Sequence, residues 1–195
     1  FSEVRDSVLC VFELGLGTNN LNIPSNMSGL GTPCGSLRGW REYFPKSQIF
    51  GADIDKDILI KEHRISTFYC DQTSPTSIRQ VFNDIKLQFD IIIEDGLHTF
   101  EANTVFFENS ISFLKDSGIF IIEDIHNKDF DKFTEYISIH RSKYELMEII
   151  QIPLKSASGT EKEYSNCKVL YIKHLTDDNE GHLFCWCLTK IFIYY

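Results

Sequence analysis

Three consecutive isoleucines, Ile91 to Ile93, run straight into Glu94-Asp95-Gly96, and this feature limits the possible folds more than any other. An uninterrupted apolar run of that length suits a strand buried on both faces, as central parallel strands are when helices cover both sides of a sheet. The acids that follow mark the point where such a strand leaves the core. The same signature recurs along the chain. Val8 to Leu14 ends in Glu13-Leu14-Gly15-Leu16-Gly17, Gln48 to Ile54 carries Asp53 near its tip, Ser66 to Cys70 is followed by Asp71, and Ile119 to Ile122 runs into Glu123-Asp124.

Helix-like stretches separate these runs. Ser36 is placed to cap a helix with Leu37, Trp40 and Phe44 on one face and Pro45 ending it. Ser74-Pro75 reads as a cap followed by proline in the first turn, with Ile78, Val81, Phe82 and Ile85 continuing one apolar face. Thr99 caps a third helix bearing Ala102, Phe106, Ser110 and Phe113, which Gly118 is placed to end. Phe130, Phe133 and Ile137 mark one more. Tyr144 to Ile152 and Lys168 to Lys173 read as the last strands, joined by the polar stretch from Lys155 to Asn166. Strands alternating with helices predict an α/β fold with a largely parallel sheet, and 195 residues suit a single domain spanning 1-195.

Composition narrows the partners. The chain is 43% apolar, 13% aromatic and 24% charged, which argues against wholesale disorder. Its 28 acidic residues outnumber 19 basic ones, for a formal charge of −9, and the basic residues are scattered; neither nucleic acid nor a membrane is expected as the partner. Six cysteines without the dense spacing of a small secreted scaffold are read as free thiols. The chain shows no signal segment at its start, and no apolar run approaches the roughly 20 residues of a membrane helix, so the expected compartment is cytoplasmic. The apolar tail from Leu183 to Tyr195 is read as an added edge strand or a homo-oligomer contact, ahead of a membrane-surface segment.

In an open α/β sheet ligands bind beyond the carboxyl ends of the strands, so the polar residues there are the candidates for chemistry. Gly15 and Gly17 allow a sharp turn and close approach to a cofactor, and the helix near Ser36 offers free N–H groups to an anion. A dinucleotide fingerprint would need glycine at position 20, where the chain has asparagine. Glu13 instead suits the ammonium of S-adenosylmethionine, Asp53 can accept from both ribose hydroxyls, and either Asp71 or Gln72 can reach the adenine amino group. Asp95, Glu123 and Asp124 form the sharper group: three carboxylates at neighbouring strand ends repel unless a cation or proton intervenes. All-oxygen ligation favours Mg²⁺ or Mn²⁺ over zinc. His98, three residues past Asp95, is able to take up a proton near neutral pH at the same spot. His126 is a minor rival ligand, and Cys185 with Cys187 lacks the partners a zinc site needs.

The pattern resembles the macrocin and mycinamicin sugar O-methyltransferases and the related "cephalosporin hydroxylase" family. The resemblance runs from about Val11 to Ile125. It rests on Phe12-Glu13-Leu14-Gly15, Gly35-Ser36-Leu37 with Trp40 and Tyr43-Phe44-Pro45, Gly51-Ala52-Asp53-Ile54-Asp55, Asp95-Gly96-Leu97-His98 and Glu123-Asp124. It implies a Rossmann-like seven-stranded methyltransferase sheet with helices on both faces. It further implies S-adenosylmethionine at Glu13, Gly15, Gly17, Ser36, Asp53 and Asp71, Mg²⁺ at Asp95, Glu123 and Asp124, and His98 as the base. The implied acceptor is a small-molecule glycoside or saccharide. A catechol or phenol acceptor needs the same parts, and a nucleotide-dependent dehydrogenase and a catalytically silent cofactor-binding module are the competing readings.

Overall fold

In the computed structural model, residues 1–151 and 168–174 are described. Eight strands form one sheet: β1 (Cys10–Leu14), β2 (Gln48–Asp53), β3 (Lys61–Glu62), β4 (Ile65–Tyr69), β5 (Phe89–Glu94), β6 (Leu114–Ile122), β7 (Tyr144–Gln151) and β8 (Lys168–His174). Four α-helices accompany them among the described residues, α1 (Gly35–Tyr43), α2 (Pro75–Ile85), α3 (Phe100–Ser110) and α4 (Phe130–His140). The spatial order is β3-β4-β2-β1-β5-β6-β8-β7. Strands β4, β2, β1, β5 and β6 run parallel, while β8 is antiparallel to both β6 and β7. The two-residue β3, antiparallel to β4, brings the count to eight rather than seven.

Alternation along the strands divides the core into two layers. Phe12, Ile92, Phe120 and Ile122 pack with Ile78, Phe82, Phe106 and Phe133 on the side of α2, α3 and α4. Val11, Ile91, Ile93, Ile119 and Ile121 share the other layer with Leu37 and Phe44 at α1. Consecutive isoleucines in β5 therefore point into opposite layers, which is why a period-two polar pattern is absent from that strand. Rings tie the first layer together, with Phe106 lying 6.2 Å from both Phe12 and Phe82 and 6.1 Å from Phe120.

Two of the expected boundaries fall as read. Ser74 caps α2 by accepting from the Ser77 N–H, and Thr99 caps α3 by accepting from the Ala102 N–H, each at 3.3 Å. Two others are corrected. The residue before α1 is Cys34, in a left-handed conformation, and Ser36 lies inside the helix with its hydroxyl turned to Glu13. Gly118 ends no helix: α3 stops at Ser110 and passes through a 3-10 turn, and Gly118 sits buried within β6, where a Cβ would come within 2.7 Å of the Leu114 side chain. The stretch from Lys155 to Asn166, the tail from Leu183 and the cysteines at 167, 185 and 187 lie outside the described residues; Cys10, Cys34 and Cys70 are free. No helix among the described residues is long and apolar enough to cross a membrane.

Since Phe106 is fully buried among aromatic rings, Phe106→Ala should lower unfolding stability by about 3–5 kcal/mol in a urea titration. Ile139→Ala, at an exposed position of α4, should change it by less than about 0.5 kcal/mol.

Candidate active site

Parallel pairing puts the tips of the central strands level. Leu14 lies opposite Glu94, and Glu94 opposite Ile122. The ladder runs one residue past the strands: the Asp95 N–H donates to the Leu14 carbonyl and the Glu123 N–H to the Glu94 carbonyl, both at 2.9 Å. Asp95, Glu123 and Asp124 are thereby fixed at one edge of the sheet. Gly15 is required by this closeness, because its φ is +89° and a Cβ there would come within 2.0 Å of the Asp95 carbonyl oxygen.

Donor atoms of Asp95, His98 and Asp124 all lie within 4.8 Å of one another, close enough to share one metal ion. The His98 Nε2 stands 3.9 Å from Asp95 Oδ1, and its ring is 6.2 Å from that of His126. The His98 Nδ1 is buried and without a hydrogen-bond partner. His98 and Asp124 both have positive φ, 54° and 49°, a conformation that side chains other than glycine adopt at a cost. Glu123 stands beside this trio rather than within it, coupled to it by charge.

Burial and mutual repulsion dominate the electrostatics. Burial holds the Asp95 carboxyl well above its ordinary pKa, and the charges of Glu123, Glu13, Asp124 and Glu94 push it further. Water reaches 39% of the Asp95 side chain, yet it does so from a cleft ringed by other acids. Burial, reinforced by Glu13, Asp124 and Glu94, raises Glu123 to about 8. Glu94, fully buried, is raised to about 7 by burial, against the hydrogen bonds from Gly96 and Gln72. His98 moves the other way: burial lowers its pKa below 6.5 more than Asp124 raises it, so the ring is neutral at pH 7.

A cavity of about 580 Å³ opens beside this group, within the range of small-molecule sites. Gly15, Gly17, Asp53, Asp71 and Gln72 line it together with Asp95, His98 and Asp124. Glu13 and Ser36 do not. Glu13, 2% exposed, accepts from the Ser36 hydroxyl and, at 2.5 Å, from the Trp40 indole N–H, and burial raises its pKa to about 7. Buried Glu13 and half-buried Ser36 thus join β1 to α1 outside the cavity lining. Asp53 accepts from the Leu16 N–H at 2.7 Å and the Asp55 N–H at 2.8 Å, which leaves each oxygen one lone pair for a ligand. Asp71 accepts from the Thr73 N–H and hydroxyl through one oxygen. Sequence reasoning missed the part of the lining from residues 23–27, and Thr18, whose hydroxyl donates to Asp55 while its carbonyl accepts from the Met27 N–H at 2.8 Å. A loop rich in Asn, Ser, Pro and Gly has no periodic pattern to reveal such contacts.

No protein-family model matches the chain. Among curated proteins it is 29% identical over 136 residues to an 8-demethyl-8-alpha-L-rhamnosyl tetracenomycin-C 2'-O-methyltransferase of Streptomyces olivaceus, covering 68% of this chain and 33% of the relative. It is 30% identical over 125 residues to a mycinamicin VI 2''-O-methyltransferase of Micromonospora griseorubida, covering 64% and 29%. The chain thus spans about a third of the length of these relatives. Among solved structures it is similar to the MycE methyltransferase of the mycinamycin pathway in complex with Mg, SAH and mycinamycin VI, with a TM-score of 0.63, 22% identity, and coverage of 95% of this chain and 49% of that one. The chain therefore has the class I S-adenosylmethionine-dependent methyltransferase fold and is similar in sequence to parts of the mycinamicin and tetracenomycin sugar O-methyltransferases.

Proposed function

We propose that the chain carries the catalytic core of an S-adenosylmethionine-dependent, Mg²⁺-assisted O-methyltransferase acting on a hydroxyl of a sugar or glycosylated small molecule. The convergence of Asp95, His98 and Asp124 at the edge of the cavity carries this reading. The names of the relatives, and the Mg and SAH bound by MycE, support it.

The residues fit a hard divalent cation. Crowded carboxylates that hold their protons too tightly are a site that a cation stabilises in place of those protons. Asp95 and Asp124 are the proposed ligands with Glu123 as the third, and S-adenosylmethionine is assigned to the cavity along Gly15, Gly17, Asp53 and Asp71. When bound, the cation would acidify a coordinated hydroxyl and S-adenosylmethionine would supply the methyl group. His98 does the proton work. Its neutral imidazole presents Nε2 on the Asp95 side, ready to accept the hydroxyl proton, and the Asp124 charge then favours the imidazolium. Leu14, Ile23, Pro24, Met27 and Leu97 give the cavity an apolar wall that limits water at the reacting centre. Holding both partners in a fixed pose supplies the remainder of the rate.

The position of His98 within 4.8 Å of both acids favours one second reading, in which the imidazole is a metal ligand. A single variant separates the two. His98→Ala should lower kcat by about 10²–10⁴-fold while Mg²⁺ affinity, measured by calorimetry, changes little; a large loss of Mg²⁺ affinity would make His98 a ligand. The enclosing test is a titration with S-adenosylmethionine, with and without Mg²⁺, followed by methyl transfer to a panel of glycosides. Cofactor binding with no transfer to any acceptor would instead favour a silent module.

A pH dependence follows from Glu123. Its carboxyl has an ordinary pKa of 4.5 and one of about 8 in the folded chain, so the unfolded chain releases the proton first as pH rises. The stabilisation from that retained proton is complete below the lower value and is lost as pH climbs towards the higher one. The metal-free protein should therefore melt at progressively lower temperature between about pH 5 and pH 8, and Glu123→Gln should flatten the slope. Mg²⁺ should raise the melting temperature most at the alkaline end; an equal effect at both ends would contradict ligation by these acids.

A further inference from the structure

Gln72 follows β4 and Glu94 ends β5, strands separated in the sheet by β2 and β1. Their side chains nevertheless meet. Both are nearly inaccessible, at 8% and 0% exposure, and the Gln72 Nε2 donates to Glu94 Oε1 at 2.6 Å. The pair then receives the backbone of the loop that follows β5: the Gly96 N–H donates to Glu94 Oε1 at 3.0 Å and the Leu97 N–H to Gln72 Oε1 at 2.8 Å. Those are the two peptide N–H groups lying between Asp95 and His98. Gly96 makes the contact possible, since a Cβ there would come within 2.2 Å of Gln72 Oε1.

This loop is the part of the site most in need of support. It carries one carboxylate and the imidazole of the converging trio, and His98 holds a positive φ while its Nδ1 has no partner. Both ends of the Gln72 amide are engaged within the protein, its Nε2 by Glu94 and one lone pair of its Oε1 by the Leu97 N–H. We infer that Gln72 and Glu94 form a positioning pair that fixes Asp95 and His98 for metal binding and proton transfer, a role distinct from the adenine contact that Asp71 or Gln72 was expected to make. The inference rests on the metal-assisted reading above. It assigns to the end of β4 an influence on an ion site that Gln72 does not touch.

The test measures two affinities by calorimetry on the intact chain, Mg²⁺ alone and SAH alone, so no acceptor is required. Gln72→Ala should weaken Mg²⁺ by about 10- to 100-fold and leave SAH within about threefold, the retained SAH binding showing that the variant is folded. An exchange variant, Gln72→Glu with Glu94→Gln, keeps one amide and one carboxylate in contact and can accept both backbone N–H groups, so it should recover most of the Mg²⁺ affinity. Loss of SAH affinity in Gln72→Ala with unchanged Mg²⁺ binding would overturn the inference and restore the adenine contact. An exchange variant as weak as Gln72→Glu alone would overturn it as well. Wild-type protein that takes up no Mg²⁺ would remove the functional reading itself, whereas wild type and Gln72→Ala binding Mg²⁺ equally would remove only the positioning role.

Discussion

Glu13, Glu94, Asp95, Glu123 and Asp124 come from the carboxyl ends of three adjacent parallel strands, and the register of the sheet gives them no room to separate. Level strand tips are a property of the backbone ladder, which here continues one residue into the loops through the Asp95 and Glu123 N–H groups. Repulsion cannot be relieved by moving a strand without breaking that ladder. Within the free chain the relief is protonation: burial together with neighbouring charge raises the pKa of Asp95 and Glu123, and burial raises that of Glu94. A divalent cation relieves the same conflict while keeping the carboxylates ionised, which links metal occupancy to pH and to stability.

Around that conflict the remaining parts of the site have separable duties. Gly15 lets the first loop pass against the Asp95 carbonyl, and Asp53 holds the backbone at Leu16 and Asp55. Glu13, with Ser36 and Trp40, ties the end of β1 to α1. Gln72 and Glu94 hold the loop after β5 from the opposite side. The cavity is thus bounded by two loops, each anchored to a buried acid at a strand end, and the positive-φ residues His98 and Asp124 stand where both loops meet open space.

Much of this was legible because it depends on periodicity and strand ends. The isoleucine run of β5, the caps at Ser74 and Thr99 and the acids at each tip follow from local rules, and Asp53, Asp71, Asp95 and Asp124 among those acids mark the cavity edge. What sequence could not supply was direction. Glu13 and Ser36 sit at the expected strand end and helix start, yet their side chains turn into the layer shared with Trp40 rather than into the cavity. Gln72 is one residue from Asp71 and points to Glu94 instead. Gly118 carries the usual mark of a helix end but serves close packing inside β6, because α3 had already stopped at Ser110. The two-residue β3 is too short to leave any pattern.

The central claim is that one cation is held between the tips of β5 and β6. Crystals grown with Mn²⁺ and SAH, with data collected at the manganese absorption edge, test it most directly. The account predicts one anomalous peak in contact with the carboxylates of Asp95 and Asp124; a peak elsewhere, or full methyl-transfer activity with no peak there, would contradict it.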